Sequence, residues 1–194
     1  MKVHQSFQNR ISELKKIKEE NQKLKAENFR LLEQSKIDPL TGLFNQSHLK
    51  KVLGNILKES GEYCILFLDI DFFKSVNEQH GHVAASRLLK KVGKLLALHV
   101  REEDLAFRYG GDEFVIVLKG ERSEALFLGE RVRRLIETTL FKVHGFHGLT
   151  QVKLTVSVGV RVLDRTSDVD QILQEADKAM FEAKRRSRNC TVAA

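Results

Sequence analysis

Leu105-Ala106-Phe107-Arg108-Tyr109-Gly110-Gly111-Asp112-Glu113-Phe114-Val115-Ile116-Val117-Leu118 places two short strand-forming runs around a turn of glycine and acid. Glycine supplies the backbone angles a tight turn needs, so the stretch reads as a β-hairpin with Asp112 and Glu113 at its tip. A lone hairpin is marginal in water, and further strands lie on both sides of it in sequence. Upstream, Tyr63-Cys64-Ile65-Leu66-Phe67-Leu68 is an apolar run of strand length that ends at Asp69. Downstream, Val152, Leu154, Val156, Val158, Val160 and Val162 alternate with Lys153, Thr155, Ser157, Gly159 and Arg161, the clearest strand periodicity in the chain.

Between these runs the apolar spacing turns helical: Leu49, Val52, Leu53, Ile56 and Leu57 within 46–58, then residues 83–100, then 122–140. A last helix spans about 168–186, apolar at Val169, Ile172, Leu173, Ala176, Met180 and Ala183. Strands and helices alternating in this way predict an α+β domain, with a central, mainly antiparallel sheet covered by helices. The sole proline, Pro39, is disfavoured inside a helix and sets a boundary, giving an amino-terminal helix over 1–37 and a globular domain over 38–194.

The amino-terminal segment is polar, lacks Gly and Pro, and carries heptads with Phe7, Leu14, Asn21 and Asn28 at a and Ile17, Leu24 and Leu31 at d. Leu at d with Asn at two a positions favours a parallel two-stranded coiled coil, because each buried Asn finds a partner only when the chains are in register. A single solvated helix is the alternative.

With 194 residues and 42% hydrophobic content, the chain can bury one sizeable core beside that appendage. The net charge of +7 suits nucleic acid and triphosphates equally. There is no Trp, only two Tyr, and the Phe residues mostly sit in apolar runs, which argues against a stacking surface for nucleic acid. Cys64 and Cys190 lack metal-ligand spacing and read as reduced thiols. No apolar run is long enough to span a bilayer, so we expect a cytoplasmic chain with no membrane in this segment.

The residues that carry chemistry are acidic. Asp69 falls at the end of a buried strand, and Asp112 with Glu113 falls on a turn whose glycines let the backbone approach a ligand. Carboxylates on neighbouring strand ends can share a hard cation that keeps positions open for phosphate oxygens, as two-metal phosphoryl chemistry requires. On spacing alone, a solvated hairpin is the better account of the turn.

Several motifs in order resolve this. Arg108-Tyr109-Gly110-Gly111-Asp112-Glu113-Phe114 resembles the signature of GGDEF-domain nucleotide cyclases, and Asp38-Pro39-Leu40-Thr41-Gly42-Leu43-Phe44-Asn45 looks like that family's entry motif. Asp69-Ile70-Asp71-Phe72-Phe73-Lys74, Asn77 and Gly81-His82 resemble its metal- and base-binding segment, and Lys184 with Arg188-Asn189 its closing motif. The resemblance implies an enzyme joining two purine nucleoside triphosphates into a cyclic dinucleotide with loss of pyrophosphate. It implies Mg²⁺, replaceable by Mn²⁺, as two ions per half-site held by Asp69, the Ile70 carbonyl and Asp112. Asp112 and Glu113 would activate the 3′-hydroxyl, and Lys74 would stabilise phosphate charge. Phe72, Phe73, Asn77, His82, Ser86, Gly110, Gly111, Lys184 and Arg188 would form the substrate site. A homodimer, through the coiled coil and facing catalytic domains, would bring two half-sites together.

Two departures from the family pattern stand out. Where the family usually carries a guanine-reading Asp after Gly-His, this chain has Ser86, preceded by Ala85. Ionised Asp only accepts hydrogen bonds and suits guanine, whereas a hydroxyl also donates and tolerates adenine. The pattern resembles the hybrid promiscuous branch, which uses GTP and ATP to make 3′,3′-cyclic GMP-AMP beside cyclic di-GMP. The alternative is a GTP-specific enzyme. Gln46 also replaces a usual Arg, with packing rather than chemistry at stake. Arg101-Glu102-Glu103-Asp104 looks like the family's product-inhibition site, with Arg101 and Asp104 as cyclic-dinucleotide contacts. The rival from another class is a non-catalytic cyclic-dinucleotide receptor, against which the intact Asp69, Asp112, Glu113 and Lys74 argue.

Overall fold

The computed structural model describes residues 2–34, 36–146, 148–164 and 166–194, the side-chain surroundings of 2–9, 11–12, 28–30 and 32–34 excepted. The chain divides into two units, Met1–Lys36 and Ile37–Ala194. The first is one uninterrupted helix, α1 (Lys2–Gln34). Its heptad residues Leu14, Ile17, Leu24 and Leu31 are all exposed. Asn21 turns its amide back on its own helix, donating to the Ile17 carbonyl at 3.2 Å. Phe7 and Asn28, the other expected a positions, lie outside the described side chains.

The second unit is built around β2 (Tyr63–Ile70), buried along nearly its whole length. It pairs antiparallel with β4 (Glu113–Lys119) on one side and with β7 (Val156–Val162) on the other. Next to β4 lies its hairpin partner β3 (Leu105–Gly110), and the edges are completed by the two-residue β1 (Phe44–Asn45) and by β8 (Thr191–Ala193). Both edge strands pair in parallel, so the sheet is antiparallel across its centre and parallel at its margins.

Alternation along β2 sorts the core into two layers. Cys64, Leu66, Leu68 and Ile70 join the cluster under α4 (His82–His99) and α5 (Arg122–Thr138). Ile65 and Phe67 join the cluster under α2 (Gln46–Ile56) and α6 (Val169–Arg186). Burial on both faces explains why β2 reads as a continuous apolar run. By the same alternation Asp69 belongs to the α6 side, which decides its partner.

The strict alternation over 152–162 is two elements, not one strand. Val152 ends β6 (Gly148–Val152), which pairs with β5 (Phe141–Gly145) in a separate two-stranded sheet. Strand β7 starts only at Val156 because Thr155 is engaged elsewhere: its carbonyl accepts from Asp71 N and its hydroxyl donates to Asp71 Oδ2. Residues 71–82, with no apolar periodicity, hold the short helix α3 (Phe73–His80).

Gly159 sits where β7 meets α6 at backbone distance. A Cβ there would collide with Met180 N and the Ala176 carbonyl, neither of which can swing aside. Gly159→Ala is therefore expected to destabilise the domain by about 3 kcal/mol, the upper end for overpacking, read as a shifted urea midpoint at unchanged slope.

Candidate active site

The site forms where β2 ends and the β3–β4 turn begins. Asp69 stands in register opposite Glu113 on β4 and Ser157 on β7, so two carboxylates share one end of adjacent strands. Asp69 is only 7% exposed, and Lys184 of α6 reaches it at 2.7 Å from Oδ2. Burial raises the Asp69 carboxyl pKa more than Lys184 lowers it, with Asp112 and Asp71 adding repulsion. Glu113 is likewise raised, by burial first and then by Asp69, Asp177 and Asp112, against Lys184. Partly buried carboxylates under-neutralised by one ammonium mark a place that attracts further positive charge.

The turn is held rigidly. Arg108 donates through Nε and Nη2 to the Gly111 carbonyl at 3.2 and 2.8 Å, while its Nη1 lies 3.2 Å from Asp38 Oδ2. Asp38 also accepts from the Thr41 amide and hydroxyl at 2.8 and 2.7 Å. Burial pushes the Asp38 carboxyl up, but Thr41 and Arg108 together bring it below the usual range. Gly111 has φ +46°, which glycine adopts without strain, and nothing lies within 4 Å of where its Cβ would be. Asp112 follows, half-buried, its carbonyl accepting from Ile70 N at 3.4 Å.

Asp71 is 4% exposed and accepts from Ser157 Oγ and Thr155 Oγ1 at 2.7 Å each and from Asn189 N at 3.1 Å. This anchor fixes the turn into α3, in which Phe72 takes left-handed φ 56° and is 65% exposed. The guanidinium of Arg188 lies 4.5 Å above the Phe72 ring. Asn189 continues the network, bonding Glu137 and Arg133 of α5 at 2.7 and 2.8 Å. Sequence reading gave Asp71, Arg108, Thr155, Ser157 and Asn189 no separate roles. The available signal was composition: a charged residue inside an apolar run must find a partner.

The structure gathers Asp69, Ile70, Asp112, Glu113 and Lys184 at the strand ends, with Phe72 and Arg188 on the adjoining turn. Phe73, the first residue of α3, is buried, and Asn77, one turn on, has a buried Oδ1 without a partner among the described residues. His82 is exposed and Ser86 half-buried on the first turns of α4. Lys74 is not drawn into the cluster; it is almost wholly exposed, 4.0 Å from Glu78. Arg101 and Asp104 lie at the opposite end of β3, about 20 Å along the strand at its ordinary rise. There Arg101 N donates to Asp104 Oδ2 at 3.1 Å, the Arg101 side chain pairs with Glu124 at 3.2 Å, and Asp104 Oδ1 is buried without a partner. The crevice they share with Phe127 and Arg131 encloses only about 10 Å³.

No three Asp, Glu, His or Cys side chains converge as a ready-made metal cage among the described residues. Mg²⁺ does not require one, since it is commonly held by one or two carboxylates and completed by substrate phosphates and water. An oxygen-only donor set around the raised Asp69 and Glu113 fits such a cation.

An antiparallel-centred sheet carrying paired carboxylates on a Gly-Gly-Asp-Glu hairpin defines a nucleotide-cyclase-like domain. Residues 35–190 match the family described as diguanylate cyclase, GGDEF domain, and the chain belongs to that family. The diguanylate cyclase DgcS of Shewanella oneidensis is 33% identical over 161 residues, 81% of this chain and 52% of that protein. The response regulator PleD of Caulobacter vibrioides is 34% identical over 167 residues, 83% and 36% of the respective chains. This chain thus spans about half, or less, of these relatives' lengths. The crystal structure of diguanylate cyclase SiaD from Pseudomonas aeruginosa, in complex with its activator SiaC, gives a TM-score of 0.77 at 31% identity, covering 100% of this chain and 75% of that one. The coiled coil and GGDEF domain of DgcB from Caulobacter crescentus, in complex with c-di-GMP, shares the fold at TM-score 0.75 and 23% identity, covering 94% and 98%.

The raised Glu113 carboxyl makes a signed prediction. Above its folded pKa the protein carries a charge it would rather bury protonated, and that cost disappears as pH falls to the unfolded value. In chelator-treated protein, Glu113→Gln should melt about 2–4 °C higher than the parent at pH 8, with the gain shrinking towards pH 4.

Proposed function

We propose that this chain condenses two GTP molecules into cyclic di-GMP, each 3′-hydroxyl attacking the other nucleotide's α-phosphorus with release of pyrophosphate. The observation that carries the reading is the in-register pair Asp69–Glu113, partly buried and under-neutralised at the sheet's end. Relatives named diguanylate cyclases support it. Asp69, the Ile70 carbonyl and Asp112 would hold Mg²⁺, which supplies charge neutralisation at the phosphates and lowers the pKa of a bound hydroxyl. Glu113, its pKa raised, is suited to accept the 3′-hydroxyl proton.

The triphosphate would meet the turn into α3, with Arg188 above Phe72 and Lys184 beside Asp69. Lys74, almost wholly exposed and 4.0 Å from Glu78, reaches the phosphates only once they are bound. In-line displacement depends on positioning and charge, which is why no covalent nucleophile is needed. The exposed heptad face of α1 supports a parallel dimer that raises the local concentration of one half-site for the other. Arg101 and Asp104 would bind the cyclic dinucleotide product, and the Arg101–Glu124 pair must open before a ligand reaches Asp104 Oδ1.

A second reading rests on Ser86. Opposite a base held near Asn77 and Ser86 no carboxylate opposes adenine, so discrimination between GTP and ATP falls by about 1.5–3 kcal/mol, the worth of a charged hydrogen bond. On this reading 3′,3′-cyclic GMP-AMP accompanies cyclic di-GMP.

Mass spectrometry of products from Mg²⁺ with GTP, ATP or both tests these readings. We expect cyclic di-GMP from GTP, and a loss of at least about 100-fold in rate for Asp69→Asn or Glu113→Gln, the scale of a general-base contribution. A mixed product that disappears in Ser86→Asp supports the second reading, and cyclic di-GMP alone from both proteins leaves the enzyme GTP-specific. Absence of any product, with cyclic di-GMP still bound, would make the chain a receptor.

A further inference from the structure

An open cavity of the globular unit lies away from the carboxylates, between the outer face of α4 and the β5–β6 hairpin, and encloses about 700 Å³. Arg87, Lys90, Lys91, Lys94 and Lys142 line it with His144, over a floor that includes Val143 and Leu149. Residues 80–100 contain no Asp or Glu, and neither do residues 140–153. Two neighbouring segments of this basic protein therefore present cations with no acid interspersed. None of the five lining cations forms an ion pair among the described residues, although Lys50, Arg101, Arg108, Arg133, Arg161 and Lys184 all do.

The same face carries apolar side chains in water. Val83 and Leu98 bracket the cations on α4, continuing the three- and four-residue spacing of Arg87, Lys90, Lys91 and Lys94, and both are 67% exposed. At the hairpin tip Phe146 is 71% and Leu149 64% exposed, and Phe146 lies against Gly81, where α4 begins. A solvated charged face explains the lysines alone; it does not explain large apolar groups displayed around them.

We propose that this face docks on an anionic phospholipid surface, the five cations meeting lipid phosphates while Phe146 and Leu149 enter the headgroup boundary. Cations surrounded by projecting apolar groups are what such an interface favours. Nucleic acid calls instead for stacking rings or hydrogen-bonding amides along a track, and one phenylalanine at a hairpin tip does not supply that. The sequence reading assigned no membrane partner on the ground that nothing spans, and no helix among the described residues is long and apolar enough to cross a membrane. Peripheral docking needs no such helix. The inference is independent of the reaction assigned to the carboxylates.

Flotation of the full chain with phosphatidylcholine vesicles, with and without about 30 mol % phosphatidylglycerol, tests it, because the anionic lipid sets the surface potential. Binding should require the anionic lipid and fall at least about tenfold between 50 and 300 mM salt, as screened surface attraction does. Lys90→Glu with Lys94→Glu should abolish it. Phe146→Ser with Leu149→Ser should weaken it by roughly fivefold at unchanged salt dependence, the signature of a lost apolar anchor. Unchanged thermal melting and GTP turnover in both variants would exclude misfolding. The proposal is overturned by equal binding to neutral vesicles, by no binding to either, or by retention in the charge-reversed variant. Release from anionic vesicles by duplex DNA, with DNA binding indifferent to the Phe146 and Leu149 changes, would overturn it in favour of nucleic acid.

Discussion

The site depends on one buried carboxylate. Asp71 satisfies two hydroxyls and one backbone amide, and through them ties the end of β2 to β7 and to the closing loop at Asn189. A buried acceptor with three good donors is costly to lose, because removing it strands all three partners in a place water does not reach. Its consequences spread in both directions along the chain. It fixes the left-handed turn at Phe72 that launches α3, and it interrupts the 152–162 alternation so that β7 starts late. It also seats Asn189 where that residue can bond Arg133, which in turn is held by Glu130 and Glu137 at 2.7 and 2.8 Å. Strong hydrogen bonds from Arg133 draw the Glu130 carboxyl down to about 2, so this support remains charged at any physiological pH.

Against that well-satisfied network the Asp69–Glu113 end of the sheet is left unsatisfied. Asp69 and Glu113 sit in register, both pushed towards the protonated form, with Lys184 as the single close counter-charge among the described residues. Folding tolerates this because β2 is gripped from both sides and both of its faces are covered by helices. Stability is supplied by the centre of the sheet and spent at its end, the usual relation between a rigid scaffold and a strained site.

Much of this architecture was legible in the sequence, for identifiable reasons. The β3–β4 hairpin announced itself through Gly110-Gly111, and α6 through its apolar spacing; the structure adds Asp168 as its N-cap, the side chain accepting from Gln171 N. The strand over 152–162 was misread as continuous because alternation records side-chain chemistry and not pairing; Ser157 and Gly159 are buried, one bound to Asp71 and the other pressed against α6. Helix α3 has too few apolar residues for its period to register. The carboxylates of the site could be named in advance, since acids ending apolar strands are conspicuous. Arg108 could not be given its role, because its partners, Asp38 and the Gly111 carbonyl, are set by the parallel pairing of β1 with β3, which no local pattern encodes.

That Arg108 bridge has a mechanical meaning. Asp38 is the second residue after the boundary at Lys36, and its carboxylate is the only described side chain gripping the arginine that grips the turn. Torque applied to the chain at Ile37 has one residue to travel before it loads an ion pair, and one guanidinium to cross before it reaches the carbonyl preceding Asp112. The entry motif is thus a short crank, stiffened by Thr41, with its handle at the edge of the globular unit and its throw at the Gly-Gly-Asp-Glu turn.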